Sequence, residues 1–217
     1  MNGLGFRFSL RRQPIVLVVI FAVCVAVEII LQGSQYSLWG TSRWRSLAYQ
    51  YGGFWIGLLD NWRPNYSFQP IIMFVSYAFL HGGIWHLTVN MITLFALGNP
   101  IVNRIGQVRF LALYMFAMIG GASGFALLSS VPQPMIGASG ALFGLAGAIS
   151  AWEYVDRYTA DQHLWPVLKL VLWLLILNIV LWWAMDGNLA WETHLGGFIA
   201  GWIFAFIIDP RSRPLES

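Results

Sequence analysis

The sequence predicts an all-α polytopic membrane protein with six transmembrane helices, and composition and pattern both lead there. Of 217 residues, 58% are hydrophobic and only 10% are charged, where a soluble domain carries roughly a quarter of its residues as charges. The apolar residues gather into six blocks of about 20, the length needed to cross a hydrocarbon core of roughly 30 Å. An ordinary water-soluble domain and a disordered chain are both excluded.

The first block runs from Pro14 to Leu31 behind Arg7, Arg11 and Arg12. A signal peptide begins in the same way, but this run is longer than a usual signal core and lacks a small-residue cleavage site, so a retained helix is expected. Further blocks occupy about 71–98, 108–129, 136–154, 164–185 and 190–208. The second is too long for one span, with Pro70 before it and Gly82-Gly83 inside it. Its spanning part is expected to start near Ile84, after residues that approach along the membrane surface. The chain thus divides into an N-terminal segment 1–13, a membrane domain 14–208 and a tail 209–217.

The long connection at 33–70 carries Trp39, Trp44, Trp55 and Trp62 among scattered Arg and Gly. Two readings fit it equally: a folded structure lying in the headgroup region, or an aromatic belt with snorkelling arginines.

Arg7, Arg11, Arg12, Arg104, Arg109, Arg157, Lys169, Arg211 and Arg213 fall on the side of the N-terminus, and Arg43, Arg45 and Arg63 on the other. The bias of Lys and Arg toward the cytoplasm therefore places both termini there, and helices two, four and six enter from the outer side. The net charge of +3 reports this orientation and gives no reason to expect a nucleic-acid partner. A lone Cys24 excludes an intrachain disulfide.

Polar side chains inside hydrocarbon are expensive, so the few present are functional candidates. They are His81, His86 and Asn90 at the outer start of helix two, Ser139 within Gly137-Ala-Ser-Gly140 at the outer start of helix four, and His194 at the outer start of helix six. His163 lies beside Asp156, Arg157 and Asp161 and reads as a surface residue. A serine hydroxyl needs a base, and His194 lies on a different helix from the His86/Asn90 pair. Acyl transfer also needs donors for a developing oxyanion, and His86, Asn90 and the Ser139 backbone N–H are candidates, the last at a helix start where early N–H groups are unpaired. No acidic third member is evident, because Glu192, two residues from His194, need not reach its ring. A Ser-His dyad is the expectation.

The alternatives are structural or chemical. A second Gly-Ala-Ser-Gly stretch at 121–124 is expected to serve helix packing, with Ser123 inside helix three. A zinc site of His81, His86 and His194 lacks metalloprotease spacing and an embedded acid, so neither metal nor cofactor is expected. A transporter would show paired halves and midplane polar groups.

The combination of His81-Gly-Gly-Ile-Trp-His86-Leu-Thr-Val-Asn90, Gly137-Ala-Ser139-Gly140 and His194-Leu-Gly-Gly197-Phe-Ile-Ala-Gly201 resembles the rhomboid family of intramembrane serine proteases in its six-helix bacterial form. The resemblance implies a Ser139/His194 dyad, His86 and Asn90 assisting the oxyanion hole, His81 at a water-accessible rim, and Phe143 packed on the catalytic imidazole. It also implies an integral protein of the bacterial inner membrane that cleaves single-pass or other transmembrane proteins near the outer face, with membrane lipid as its other partner. The oligomeric state is not indicated. A noncatalytic rhomboid-like binder is the alternative function. Ile72-Met73 stand where many relatives have Trp-Arg, and Val102 where a glutamate is usual, although Arg104 and Gly106 persist. These departures bear on loop support.

Overall fold

The computed structural model describes residues 13–208 and consists of helices joined by short turns and one long connection. Helix α1 (Ile15–Gln35) buries Leu17, Ile20, Cys24, Glu28 and Leu31, a three-to-four-residue spacing that turns one stripe to the bundle and leaves the rest for lipid. The 33–70 connection is folded: it contains α2 (Trp44–Gly52) and a single 3-10 turn at Ile56–Leu59. Next come α3 (Gln69–Ser76), with Pro70 in its first turn where no intrahelical N–H is needed, and α4 (Ile84–Ile105). The chain bends by 83° between the 69–79 segment and α4, and α4 begins at the residue the glycine pair predicts. The remaining helices are α5 (Gln107–Leu128), α6 (Ser139–Thr159), α7 (Trp165–Ala184) and α8 (Trp191–Ile207).

The centre of the bundle is α5, α6 and α8, packed almost backbone to backbone. A Cβ added to Gly197 would collide with the Gly140 carbonyl oxygen, and one on Gly201 with that of Gly144. Gly124 of α5 sits against Gly196, 2.8 Å from where its Cβ would be, and Gly121 against Thr193. The second Gly-Ala-Ser-Gly stretch is therefore part of this small-residue seam, the arrangement by which helices approach in lipid.

The protein is an all-α, multi-helix membrane-spanning bundle in which fewer than six helices are apolar and long enough by composition alone to cross a membrane. Among the described residues, α1, α5 and α7 are long and apolar enough to cross a membrane, and the bent α3–α4 unit makes a fourth. The physical reason lies in the centre: α6 carries Glu153, Asp156 and Arg157 in its last turns, and α8 has 17 residues. Both are rich in Gly and Ala because they face other helices, and a helix surrounded by protein needs less apolar surface. The termini 1–12 and 209–217, with Arg7, Arg11, Arg12, Arg211 and Arg213, lie outside the described residues.

Arg45 organises the long connection. Its guanidinium is bidentate to Glu28 at 2.7 and 3.2 Å, and donates to Gln32 at 2.7 Å and to the His81 carbonyl at 3.0 Å. One side chain thus joins α1, α2 and the turn before α4. Phe54 and Met135 exchange backbone hydrogen bonds of 3.0 Å, which pins the connection to the segment leading into α6. At the other end, Arg104 reaches Asp156 of α6 at 3.1 Å and lies over the Trp152 ring, while Val102 is buried.

Candidate active site

Ser139 is the first residue of α6, so its N–H and those of Gly140 and Ala141 have no intrahelical acceptor, the first such bond running from the Leu142 N–H to the Ala138 carbonyl. The approach to it is tightly held. Gly137, two residues earlier, has φ of +120° and donates its N–H to the Tyr77 carbonyl at 3.0 Å. A Cβ there would lie 2.8 Å from His86 Nε2, so glycine is required by both conformation and contact.

His194 is the fourth residue of α8 and is buried. Its Nε2 is 2.9 Å from Ser139 Oγ and its Nδ1 is 2.6 Å from Asn178 Oδ1. The ring stacks on Phe143, one turn into α6, with centroids 4.1 Å apart. Gly197 and Gly201 continue along the same helix and set the close α6–α8 spacing that lets the hydroxyl and imidazole meet.

His86 Nδ1 accepts a hydrogen bond from the Gly82 N–H at 3.1 Å. A neutral ring then carries its proton on Nε2, the edge that lies against Gly137. Asn90, one turn on and buried, donates one Nδ2 hydrogen to the His86 carbonyl at 2.7 Å and keeps a second. His81 differs from its expected place at a water-accessible rim: it is fully buried, with its carbonyl held by Arg45 and by Tyr49 Oη at 2.8 Å. The folded 33–70 connection covers it. Its ring meets that of His86 edge-on at 5.2 Å.

Among the described residues, no group of three His, Cys, Asp or Glu side chains is placed to hold a metal. His163 is exposed. Glu192 is buried and makes no hydrogen bond to the His194 ring.

Asn178 is the residue that sequence reasoning missed. It is the lone amide in the otherwise apolar run from Leu170 to Met185, and that isolation is the signal that could have found it. Its Nδ2 donates to the Leu174 carbonyl at 3.1 Å.

Comparison with known proteins gives the family. The Rhomboid domain family model matches residues 69–211. The chain is 33% identical over 142 residues to RHOMBOID-like protein 5 of Arabidopsis thaliana, covering 64% of this chain and 44% of that protein. It is 31% identical over 171 residues to the mitochondrial Rhomboid protein 1 of Saccharomyces cerevisiae, covering 67% and 46%. With Rhomboid protease GluP of Bacillus subtilis it shares 33% identity over 126 residues, covering 58% and 24%. The chain spans less than half the length of each of these three relatives. A domain match over most of the chain, on a helical bundle that joins Ser139 to His194, places this protein in the rhomboid family.

Proposed function

We propose that the protein is an intramembrane serine endopeptidase, and the hydrogen bond of 2.9 Å between Ser139 Oγ and His194 Nε2 carries that reading. His194 takes the hydroxyl proton as Oγ bonds to the scissile carbonyl carbon. It then returns that proton to the departing amine as the C–N bond breaks, leaving an acyl-enzyme. Water, deprotonated by the same imidazole, releases the acid and restores Ser139. The transient oxyanion is held by the unpaired N–H groups of the first α6 turn, the Nε2–H of His86 and the free Nδ2 hydrogen of Asn90. The positive end of the α6 dipole favours the same charge.

The substrate is a transmembrane helix of another protein. Helical carbonyls are already hydrogen-bonded, so the segment must unwind locally, which favours small and helix-destabilising residues near the cut. The domain crosses the membrane six times, the α3–α4 unit counting as one span, with both termini cytoplasmic in a bacterial inner membrane and the site toward the outer face.

The test is cleavage of a single-pass substrate in liposomes. Wild type should cut and folded Ser139→Ala should not, whereas Asn90→Ala should retain some activity, since one oxyanion donor is worth about 3–4 kcal/mol or less. Equal cleavage by wild type and Ser139→Ala would overturn the proposal, and a substrate bound but never cut by wild type would favour the noncatalytic binder.

A further inference from the structure

Resting on the reading of Ser139 and His194 as nucleophile and base, we infer that Asn178 is a positioning residue that fixes the tautomer and orientation of the His194 imidazole, so that the unit is a Ser-His-Asn relay across three helices. The amide orientation decides the matter. Asn178 Nδ2 donates to the Leu174 carbonyl at 3.1 Å, which directs Oδ1 at His194 Nδ1, 2.6 Å away. A carbonyl oxygen can only accept, so Nδ1 must carry the ring proton and Nε2 must be the free lone pair. That lone pair faces Ser139 Oγ. Turning the amide over would set two carbonyl oxygens against each other at Leu174 and would present a donor to Nδ1, giving the tautomer that cannot accept from serine.

Among the described residues, no other side chain is hydrogen-bonded to His194 Nδ1. Glu192 shares α8 with His194 but does not bond to its ring, and His86 is the ionisable neighbour across from it on α4. From α6 the ring receives the Phe143 face and the Ser139 hydroxyl. A neutral amide is suited to a membrane interior, where a carboxylate would be a buried anion whenever the imidazole is neutral. A packing role for Asn178 has little support, because α7 is held lightly and Val167 is its one buried residue. An apolar side chain would serve lipid contact better at this position.

Two variants and two readouts test the inference. Asn178→Leu keeps the size of the side chain, suits the apolar helix and removes the acceptor, while Asn178→Asp restores an acceptor. For cleavage in liposomes, Asn178→Leu should lower kcat by about 10- to 100-fold with KM within about twofold of wild type, and Asn178→Asp should recover much of that loss; a fully wrong tautomer sets an upper bound near 10⁴-fold. In ring-¹⁵N-histidine protein, with the His194 signals identified by their loss in His194→Ala, wild type should show a protonated Nδ1 and an unprotonated Nε2. Asn178→Leu should show a tautomer mixture. Folded Asn178→Leu with wild-type kcat, or with the wild-type ¹⁵N pattern, overturns the relay, and so does a loss confined to KM. Should Asn178→Leu not fold, Asn178→Ala is read against the same outcomes. The tautomer is read without substrate, so a wild-type protein that cleaves nothing defeats the proposed activity while leaving the relay to be decided by the spectrum.

Discussion

The imidazole of His194 lies flat on the phenyl ring of Phe143, with centroids 4.1 Å apart and planes 8° from parallel. The two residues come from adjacent helices, so the stack fixes the imidazole plane while the Ser139 and Asn178 bonds fix its rotation. Phe143→Ala should loosen the ring and lower kcat by about 10-fold or more, in line with the sensitivity of reacting groups to misplacement, and Phe143→Tyr should restore most of the rate. Steady-state cleavage by the three proteins measures this.

Loss of the Arg45 guanidinium should destabilise the fold more than an exposed ion pair would. Glu28 is 1% exposed and Arg45 is 15% exposed, and removing one partner of a buried pair costs about 3–5 kcal/mol. Arg45→Ala should therefore lower the thermal midpoint in detergent clearly, while Arg45→Ala combined with Glu28→Gln should recover part of the loss. Equal midpoints for Arg45→Ala and wild type would show that the 33–70 connection is anchored by other contacts.

Gly197→Ala should be strongly destabilising, because the new methyl group meets the Gly140 carbonyl oxygen and forces α6 from α8; overpacking of this kind costs about 1–3 kcal/mol or more. Gly82→Ala meets only His86 Nδ1 at 3.5 Å and should leave the midpoint near wild type. Thermal unfolding of both variants checks the contrast.

Helix positions and the cluster of polar residues at helix starts were legible because apolar blocks, Gly-Gly and lone polar residues are local signals. Block ends erred by a few residues where caps were weak: α1 continues to Gln35 beyond Leu31, and α6 continues to Thr159 beyond Tyr154. The folded 33–70 connection was not legible, since the Arg45–Glu28 pair joins residues 17 apart through a register that no periodicity specifies. Asn178 stands out locally as a lone amide in an apolar helix, but its pairing with His194, 16 residues away on the next helix, is a tertiary contact that this isolation does not specify.

Orientation can be read from the two ends of α6. In a Cys24→Ala background, a cysteine placed in the 129–135 segment should react with a membrane-impermeant thiol reagent in intact cells, and one placed beside Arg157 only after the membrane is opened. The reverse pattern would put Ser139 at the cytoplasmic end.

The central claim is that Ser139 is a nucleophile activated by His194, and mapping the adduct of a serine-reactive fluorophosphonate by mass spectrometry tests it most directly. The predicted result is a single adduct on Ser139 in wild type and none in folded His194→Ala, with Ser123 unmodified throughout. An adduct on Ser123, or full labelling of Ser139 in His194→Ala, would contradict the account.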